Sequence, residues 1–508
     1  MTNKVIVCNS AALAAKYGAN ANLIQNGVNR LIAADNARGI QSRYVAIDDA
    51  ATMQGFHAPP VTNPADARQN KDAVDAVYGS AAPDYILLLG GPDLIPHQDI
   101  VNPVYDGNND VDPIAWSDLP YACDAPYSQN AQDFIGPTRV VGRLPDVTGS
   151  ADPEYLLNLL DLAVNYVAGS PASYAPYLGV TASVWSGSTA LSLNAIFGSS
   201  TDMQVSPPAG PAWPPKLFSR KSHFFNCHGA DIDPHFYGQQ GTQFPIALDA
   251  GLVAGQLTEG TVMAAEACYG AQLYAPAAEP TGRMGMANTY MSSGCSAYFG
   301  STTIAYGEFT TNADADLLCQ YFFEAIRAGA SSGRAALQAR QNYARAGASL
   351  SPTDLKTLAQ YLLLGDPSIV PVAPPVAAHL IAGAAGEDRE RANRRKFLIA
   401  TGREIVRTKA VSSGRPDRAA SATLTQALRT LAQQFEMDEP AILSFSVRNT
   451  AGLESVPRAL AARAPVASEY HIVTSRRLVD TAPVRLISLL EVEASGDEIL
   501  RTRQLVSR

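Results

Sequence analysis

The sequence contains no run of about 18 consecutive apolar residues, so it predicts no membrane-spanning helix and no membrane partner. Its six cysteines show no paired spacing, which argues against a disulfide framework. Neither a CxxC nor an HExxH motif occurs, and a zinc site therefore has little support. The N-terminus enters an apolar, strand-like run directly, without the long apolar core of a secretory signal. These absences favour a reducing, cytoplasmic setting.

An excess of basic residues is also missing. The formal net charge is −9 at pH 7, and this argues against general nucleic-acid binding, because phosphate backbones attract basic surfaces. A chain of 508 residues is too long for one compact core, and its length alone suggests roughly three domains. The hydrophobic content of 46% is that of a globular protein.

Strands alternating with helices predict an α/β fold with mostly parallel sheets and flanking helices. The continuous apolar run at 85–89, ended by two glycines, is typical of a buried parallel strand. We predict an N-terminal α/β subdomain over residues 1–145 and a second α/β unit over 146–372. A proline-rich linker then leads to a small α+β domain over 378–508, which contains a helix and three strand-like runs.

Two stretches, 224–230 and 262–271, carry the strongest chemical signal. Each is an apolar strand that runs into a turn of small residues, and the first ends in His228 and Gly229 while the second ends in Cys268. Ligands and reactive groups collect at the carboxyl ends of strands in open α/β sheets. The string Glu-Ala-Cys-Tyr-Gly differs only at its first position from a caspase-type signature, whose histidine lies about 50 residues upstream.

This pattern predicts a thiol nucleophile with an imidazole partner. Cys268 would attack a carbonyl carbon, and His228 would carry the proton to the leaving amine. The backbone N–H groups of Gly229 and Cys268 would stabilise the oxyanion. The alternatives are an inert buried cysteine and a histidine satisfied by core hydrogen bonds. His223 and His235 are weaker candidates for the base, because neither is followed by glycine.

The order of motifs resembles the gingipain-type cysteine peptidases, a family of the caspase-like clan. The matching pieces, over roughly residues 85–370, are Gly90-Gly91, Ile95-Pro96, Ser117-Asp118-Leu119-Pro120-Tyr121, Val141-Gly142-Arg143-Leu144-Pro145, Cys227-His228-Gly229, Glu266-Ala267-Cys268-Tyr269-Gly270, Gly300-Ser301-Thr302 and Leu364-Gly365-Asp366-Pro367-Ser368. The resemblance implies a caspase-like catalytic subdomain preceded by a related α/β subdomain. It also implies endopeptidase activity on protein or peptide substrates, with Cys268 as nucleophile and His228 as partner.

The resemblance further implies a substrate-binding role for Asp118. In arginine-specific members an acidic residue at this place forms the base of the substrate pocket, where a carboxylate selects a basic side chain. Cleavage after a basic residue is the corresponding expectation, and a loop-capping aspartate is the alternative. The acidic residue that would orient His228 is not assigned by any motif. Asp106, Asp110 and Asp112 are candidates.

The sequence thus favours a cysteine endopeptidase that needs no metal or organic cofactor. The charged run at 389–396 offers basic sites for self-processing or a segment that blocks the cleft, although a solvated helix explains it equally well. Two other functions stay open: a non-catalytic, peptidase-like binding or regulatory protein, and a hydrolase of small acyl or amide compounds.

Overall fold

The computed structural model describes residues 2–374, 384–448 and 468–508. The strands in chain order are β1 (Thr2–Cys8), β2 (Ile40–Ala46), β3 (Tyr85–Leu89), β4 (Gln98–Val101), β5 (Ile114–Ser117), β6 (Val141–Leu144), β7 (Tyr177–Ala182), β8 (Gln204–Ser206), β9 (Ser222–Asn226), β10 (His228–Gly229), β11 (His235–Tyr237), β12 (Ile246–Asp249), β13 (Thr261–Glu266), β14 (Cys295–Ser301), β15 (Tyr306–Gly307), β16 (Ser349–Leu350), β17 (Tyr361–Leu364), β18 (Ala410–Ser412), β19 (Ala441–Arg448), β20 (Glu469–Arg477), β21 (Leu486–Ser495) and β22 (Glu498–Ser507).

The α-helices are α1 (Ser10–Tyr17), α2 (Ala21–Ala37), α3 (Ala50–Gln54), α4 (Ala67–Ala81), α5 (Glu154–Val164), α6 (Ser186–Phe197), α7 (Pro215–Phe218), α8 (Ala250–Val253), α9 (Met286–Ser292), α10 (Asp314–Arg327), α11 (Ser332–Ala346), α12 (Pro352–Gln360), α13 (Ala384–Thr408) and α14 (Ala422–Gln434). Short 3-10 helices lie at Gly18–Asn20, Leu119–Ala122, Ala131–Phe134, Pro171–Tyr174, Ser183–Trp185 and Pro276–Ala278. Within the described ranges, no helix is both long enough and apolar enough to cross a bilayer.

The central sheet has the strand order β2-β1-β3-β6-β17-β14-β13-β9-β7-β8. Neighbouring strands are parallel throughout, except that β14 and β17 are antiparallel. The sheet therefore consists of two parallel halves that run in opposite directions and meet at this one junction. Buried apolar residues cover both faces, as expected for strands with continuous apolar sequences. This confirms the predicted α/β class with a mostly parallel sheet and flanking helices.

A second, mostly antiparallel sheet has the order β15-β22-β21-β20-β19-β18-β16. Helix α14 packs on it through Leu424 and Leu428, which contact Val473 and Leu490 of the sheet. Its inner strands come from the predicted C-terminal domain, whereas β15 and β16 belong to the predicted catalytic unit. The two regions therefore share one sheet. The predicted start of this domain, residue 378, lies outside the described residues.

Local predictions succeed where apolar patterns are strong. The strand predicted at 85–89 has those bounds, and the stretch that follows it contains the hairpin β4–β5. The charged run at 389–396 lies inside α13. Strand β22 is absent from the sequence prediction. The residue that follows it, Arg508, contacts the backbone of Gly229 and Cys268.

Candidate active site

The two stretches singled out in the sequence are adjacent parallel strands. Strands β9 and β13 pair in a register that sets Asn226 opposite Glu266. His228 and Cys268 each follow two residues later, so both leave the sheet at the same edge. A Cβ at Gly229 would overlap the carbonyl oxygen of Cys268. Glycine is thus required here because the two chains approach each other too closely for a side chain.

Two backbone N–H groups at this edge converge on one oxygen. The carbonyl oxygen of Arg508 accepts a hydrogen bond from the Cys268 N–H at 3.2 Å and from the Gly229 N–H at 3.4 Å. These are the two groups that the sequence predicts as the oxyanion hole. The oxygen they hold belongs to the last residue of the sequence, which follows β22 directly.

The Cys268 side chain is 2% exposed and lies against the backbone of Ala305. Its sulfur accepts a hydrogen bond from the Ala305 N–H at 3.3 Å. Burial raises the pKa of the Cys268 thiol to about 12, and the backbone of Ala305 and Lys356 only partly offset this. In this closed arrangement the side chain is a thiol at neutral pH.

His228 is fully buried, and its ring lies between those of Trp185 and Phe244. Its Nε2 lies 2.8 Å from the Oε1 of Gln239, while the amide nitrogen of Gln239 donates to the Gly241 carbonyl. The amide orientation makes Nε2 the protonated nitrogen. The buried Nδ1 has no hydrogen-bond partner in the described part of the chain and keeps a free lone pair. Burial lowers the pKa of His228 to about 3.

No hydrogen bond joins the Cys268 sulfur to the His228 ring among the described residues. The Arg508 carbonyl group instead lies against the backbone at both positions. Hydrogen bonds between catalytic groups are often long until a substrate is in place. The absence of this one is therefore compatible with proton transfer during a reaction.

The Arg508 side chain fills a closed pocket beside the thiol. It is fully buried, and its Nη2 donates to the Oδ2 of Asp316 at 2.6 Å and to the Glu308 carbonyl at 2.7 Å. The guanidinium carbon lies 4.3 Å from the centre of the Trp185 ring, which gives a cation–π contact. A Cβ at Gly307 would overlap the guanidinium. The pocket therefore has the shape and charge for an arginine side chain.

Buried polar groups fix the carboxylate at the end of this pocket. Asn226 donates to the Oδ1 of Asp316 at 3.0 Å, and the same amide nitrogen lies 3.0 Å from the Thr189 hydroxyl. Glu266 lies next to Asp316. Burial and the charge of Asp316 raise the pKa of Glu266 well above its usual range, which favours its neutral form. Asp316 is the carboxyl group that pairs with the guanidinium, at 2.6 Å.

The last residues of the chain run through the site as an added strand. Gly307 pairs with Val506 and Tyr306 with Ser507, in antiparallel orientation. The Arg508 N–H donates to the Ala305 carbonyl at 2.9 Å. Extended peptides are commonly recognised in this way, with backbone pairing for affinity and side-chain pockets for selectivity.

Asp118, expected at the base of a substrate pocket, binds two basic side chains of the protein. Its two carboxylate oxygens accept bidentate hydrogen bonds from Arg143, at 2.6 and 2.8 Å, and one also lies 2.9 Å from His97. Burial alone would raise the pKa of Asp118, but Arg143 and His97 hold it below its usual range. The carboxylate at the Arg508 guanidinium is Asp316, so the structure gives Asp118 a partner inside the protein instead.

The three aspartates considered as orienters of the histidine bind other side chains. Asp110 forms a buried ion pair with Lys356, and Asp112 accepts from the Tyr269 hydroxyl at 2.9 Å. Asp106 accepts from the Asn109 side chain at 2.8 Å. The side chain that holds the imidazole is Gln239, for which the sequence offers no motif.

Within the described ranges, no group of three or more His, Cys, Asp or Glu side chains is arranged to hold a metal ion. The described arrangement consists of a thiol, an imidazole, two converging N–H groups and an arginine pocket. These parts can perform acyl transfer at a carbonyl carbon.

No protein-family model matches the chain, and no curated protein is significantly similar to it in sequence. Among solved structures, the chain is similar to the arginine-specific cysteine proteinase gingipain R, with a TM-score of 0.48 and 13% identity over 99% of this chain and 97% of that one. A structure described as a protease gives 0.47 and 14% over 99% and 96%. The separase–securin complex of Saccharomyces cerevisiae gives 0.27 and 12% over 45% and 14%.

Proposed function

We propose that this chain is a cysteine endopeptidase that cleaves protein substrates on the carboxyl side of arginine. The observation that carries the proposal is the pose of Arg508. Its carbonyl oxygen receives the Cys268 and Gly229 N–H groups while its side chain fills the pocket that ends in Asp316. A substrate arginine bound in the same way presents its carbonyl carbon to the Cys268 residue.

In the proposed reaction His228 Nδ1 takes the thiol proton, and the sulfur attacks the carbonyl carbon. Negative charge develops on the oxygen that Gly229 and Cys268 hold, where removing one such donor typically costs about 10²–10³ in rate. The imidazolium then protonates the departing amine, and the thioester remains. Water, deprotonated by His228, hydrolyses the thioester and releases the new carboxyl terminus. Gln239 keeps the imidazole in the tautomer that the first step requires.

The pocket favours arginine over lysine. The flat guanidinium lies over the Trp185 ring, with its carbon 4.3 Å from the ring centre, while one nitrogen donates to both Asp316 and the Glu308 carbonyl. A lysine ammonium is a compact, strongly hydrated charge on a stem that offers no flat face to the ring. Acidic and apolar side chains leave the buried Asp316 charge without a partner, which costs several kcal/mol in general.

The test is turnover of a matched set of fluorogenic peptides that differ only in arginine, lysine, aspartate or leucine before the cleaved bond. Wild type and Arg508→Ala are assayed, with Cys268→Ala as the matched inactive control. The proposal expects cleavage after arginine that requires Cys268. A preference for aspartate or leucine contradicts the specificity, and binding of the arginine peptide without Cys268-dependent cleavage supports a binding protein instead.

A further inference from the structure

We propose that residues 505–508 are an intramolecular ligand of the active site, and that a substrate must displace them before it can bind. The proposal rests on the function proposed above and adds its regulation. The chain thus carries its own substrate-like segment, with the sequence Leu-Val-Ser-Arg.

The first support is that this segment uses the atoms that a substrate needs. Its arginine is fully buried, pairs with Asp316 and accepts both converging N–H bonds. Its backbone also donates a hydrogen bond to the Ala305 carbonyl and pairs with the edge of β15. One set of donors cannot serve two peptides at once, so occupation in cis and substrate binding exclude each other.

The second support comes from the side chains that precede the arginine. Leu505 packs in the same apolar cluster as Cys268 and Tyr306, and Val506 packs against Trp185 and Ala182. The Ser507 hydroxyl turns away and accepts a hydrogen bond from the Ile487 N–H at 2.9 Å. The segment thus packs against neighbouring apolar side chains as well as filling the arginine pocket. We expect good substrates to carry apolar residues three and four positions before the cleaved bond.

The third support is the way the strand is anchored. Pairing between β22 and β21 extends from Glu498 to Val506. Ser507 and Arg508 extend beyond this ladder and are held by contacts with the site and by the Ser507 hydroxyl. Displacing residues 505–508 therefore breaks the last two pairs of this ladder, at Leu505 and Val506, and the contacts of the Ser507 hydroxyl, while residues 498–504 stay in the sheet. Local opening of a few residues costs much less than global unfolding.

The experiment measures how fast a peptide acyloxymethyl ketone ending in arginine labels Cys268. Arg508→Ala empties the pocket but keeps the strand, and Arg501→Ala, at an exposed position on the same strand, is the matched control. If the resident segment closes most copies of the site, labelling of Arg508→Ala is at least about tenfold faster than in wild type, because apparent affinity scales with the open fraction. Arg501→Ala labels at the wild-type rate. Equal rates in wild type and Arg508→Ala overturn the proposal.

A binding measurement separates this proposal from the catalytic one. Fluorescein-labelled Gln-Leu-Val-Ser-Arg is titrated into Cys268→Ala and into the double variant Cys268→Ala/Arg508→Ala. We expect the double variant to bind it at least about tenfold more tightly than Cys268→Ala does. We also expect a matched peptide ending in alanine to bind poorly. Equal binding by the two proteins overturns the cis ligand. Normal peptide binding without labelling of any variant overturns the peptidase and leaves the cis ligand intact.

Discussion

At the scale of single residues, two buried aspartates each pair with an arginine, and the sequence points to only one of them. Asp118 sits in a motif of the peptidase resemblance, yet its oxygens bind Arg143 and His97. Asp316 lies in the first turn of α10, where an acidic residue reads as ordinary helix stabilisation. A pattern in sequence does not reveal which buried carboxylate pairs with Arg143 and which one pairs with Arg508.

Asp316→Asn should lower kcat/KM for arginine peptides by about 10²-fold, because a buried charged hydrogen bond to the substrate loses its charge. Asp118→Asn is the matched comparison. It breaks a buried ion pair with Arg143, so we expect a lower Tm and an unchanged ratio of arginine to lysine turnover in the folded protein. Loss of that ratio in Asp118→Asn, with Asp316→Asn unaffected, contradicts the assignment.

The protonation of the thiol should depend on whether the strand end is docked. Burial raises the pKa of Cys268 to about 12, so at pH 7–9 little thiolate exists in the closed site. Emptying the pocket in Arg508→Ala admits water, and the pKa of the thiol then falls. Alkylation of Cys268 by iodoacetamide, followed by peptide mass, should therefore rise at a lower pH in this variant. Cys227, also buried, is the internal control and should stay slow in both proteins. Identical pH profiles contradict this.

Gln239 acts through His228 and is a positioning residue. Gln239→Ala should lower kcat about tenfold with little change in KM, because the imidazole loses the hydrogen bond that fixes its tautomer. In Gln239→Glu the new carboxylate stabilises the imidazolium, so the acid limb of the kcat/KM profile should move to higher pH. Gln240→Ala, an exposed neighbour, should behave as wild type. An unshifted profile in Gln239→Glu argues against this role.

At the scale of elements, the site is built where two parallel strand ends meet an antiparallel pair. Strands β9 and β13 were predictable, because their apolar runs end in small residues. Strand β22 was not, because Glu498, Arg501 and Arg503 interrupt its apolar pattern and read as a solvated segment. Its partner β15 spans only two residues. The pairing of β15 with β22 closes the site, and the sequence of neither strand alone predicts it.

Gly307 on β15 tests this pairing. A Cβ there would overlap the arginine guanidinium, so Gly307→Ala should weaken the turnover of arginine peptides about tenfold or more, as overpacking usually does. Gly187→Ala, close to the pocket, is the control, since its Cβ would meet no atom nearer than Thr310 at 3.8 Å. The measurement is the steady-state turnover of arginine peptides by both variants, compared with wild type. A fully active Gly307→Ala contradicts the pocket.

At the scale of the whole molecule, the predicted C-terminal α+β domain and the α/β unit before it share one sheet. The C-terminal strands complete a sheet with β15 and β16, and Arg508 reaches the sheet edge that carries His228 and Cys268. The self-processing segment suggested by the sequence, 389–396, lies in helix α13, and a helix cannot pair as an extended substrate strand. The extended basic segment that reaches the thiol is 505–508. Only contacts between residues far apart in the sequence distinguish these two segments, and a local sequence pattern does not reveal such contacts.

The most direct measurement is the intact mass of a chain extended beyond Arg508 by a short Gly-Ser peptide. Because the strand holds the Arg508 carbonyl at Cys268, cleavage is intramolecular and should be efficient even if free peptides are cut slowly. The account predicts loss of the extension directly after Arg508 in the wild-type sequence, and an intact extension in Cys268→Ala and in Arg508→Ala. A wild-type extension that stays intact, or one that Cys268→Ala loses equally, would contradict it.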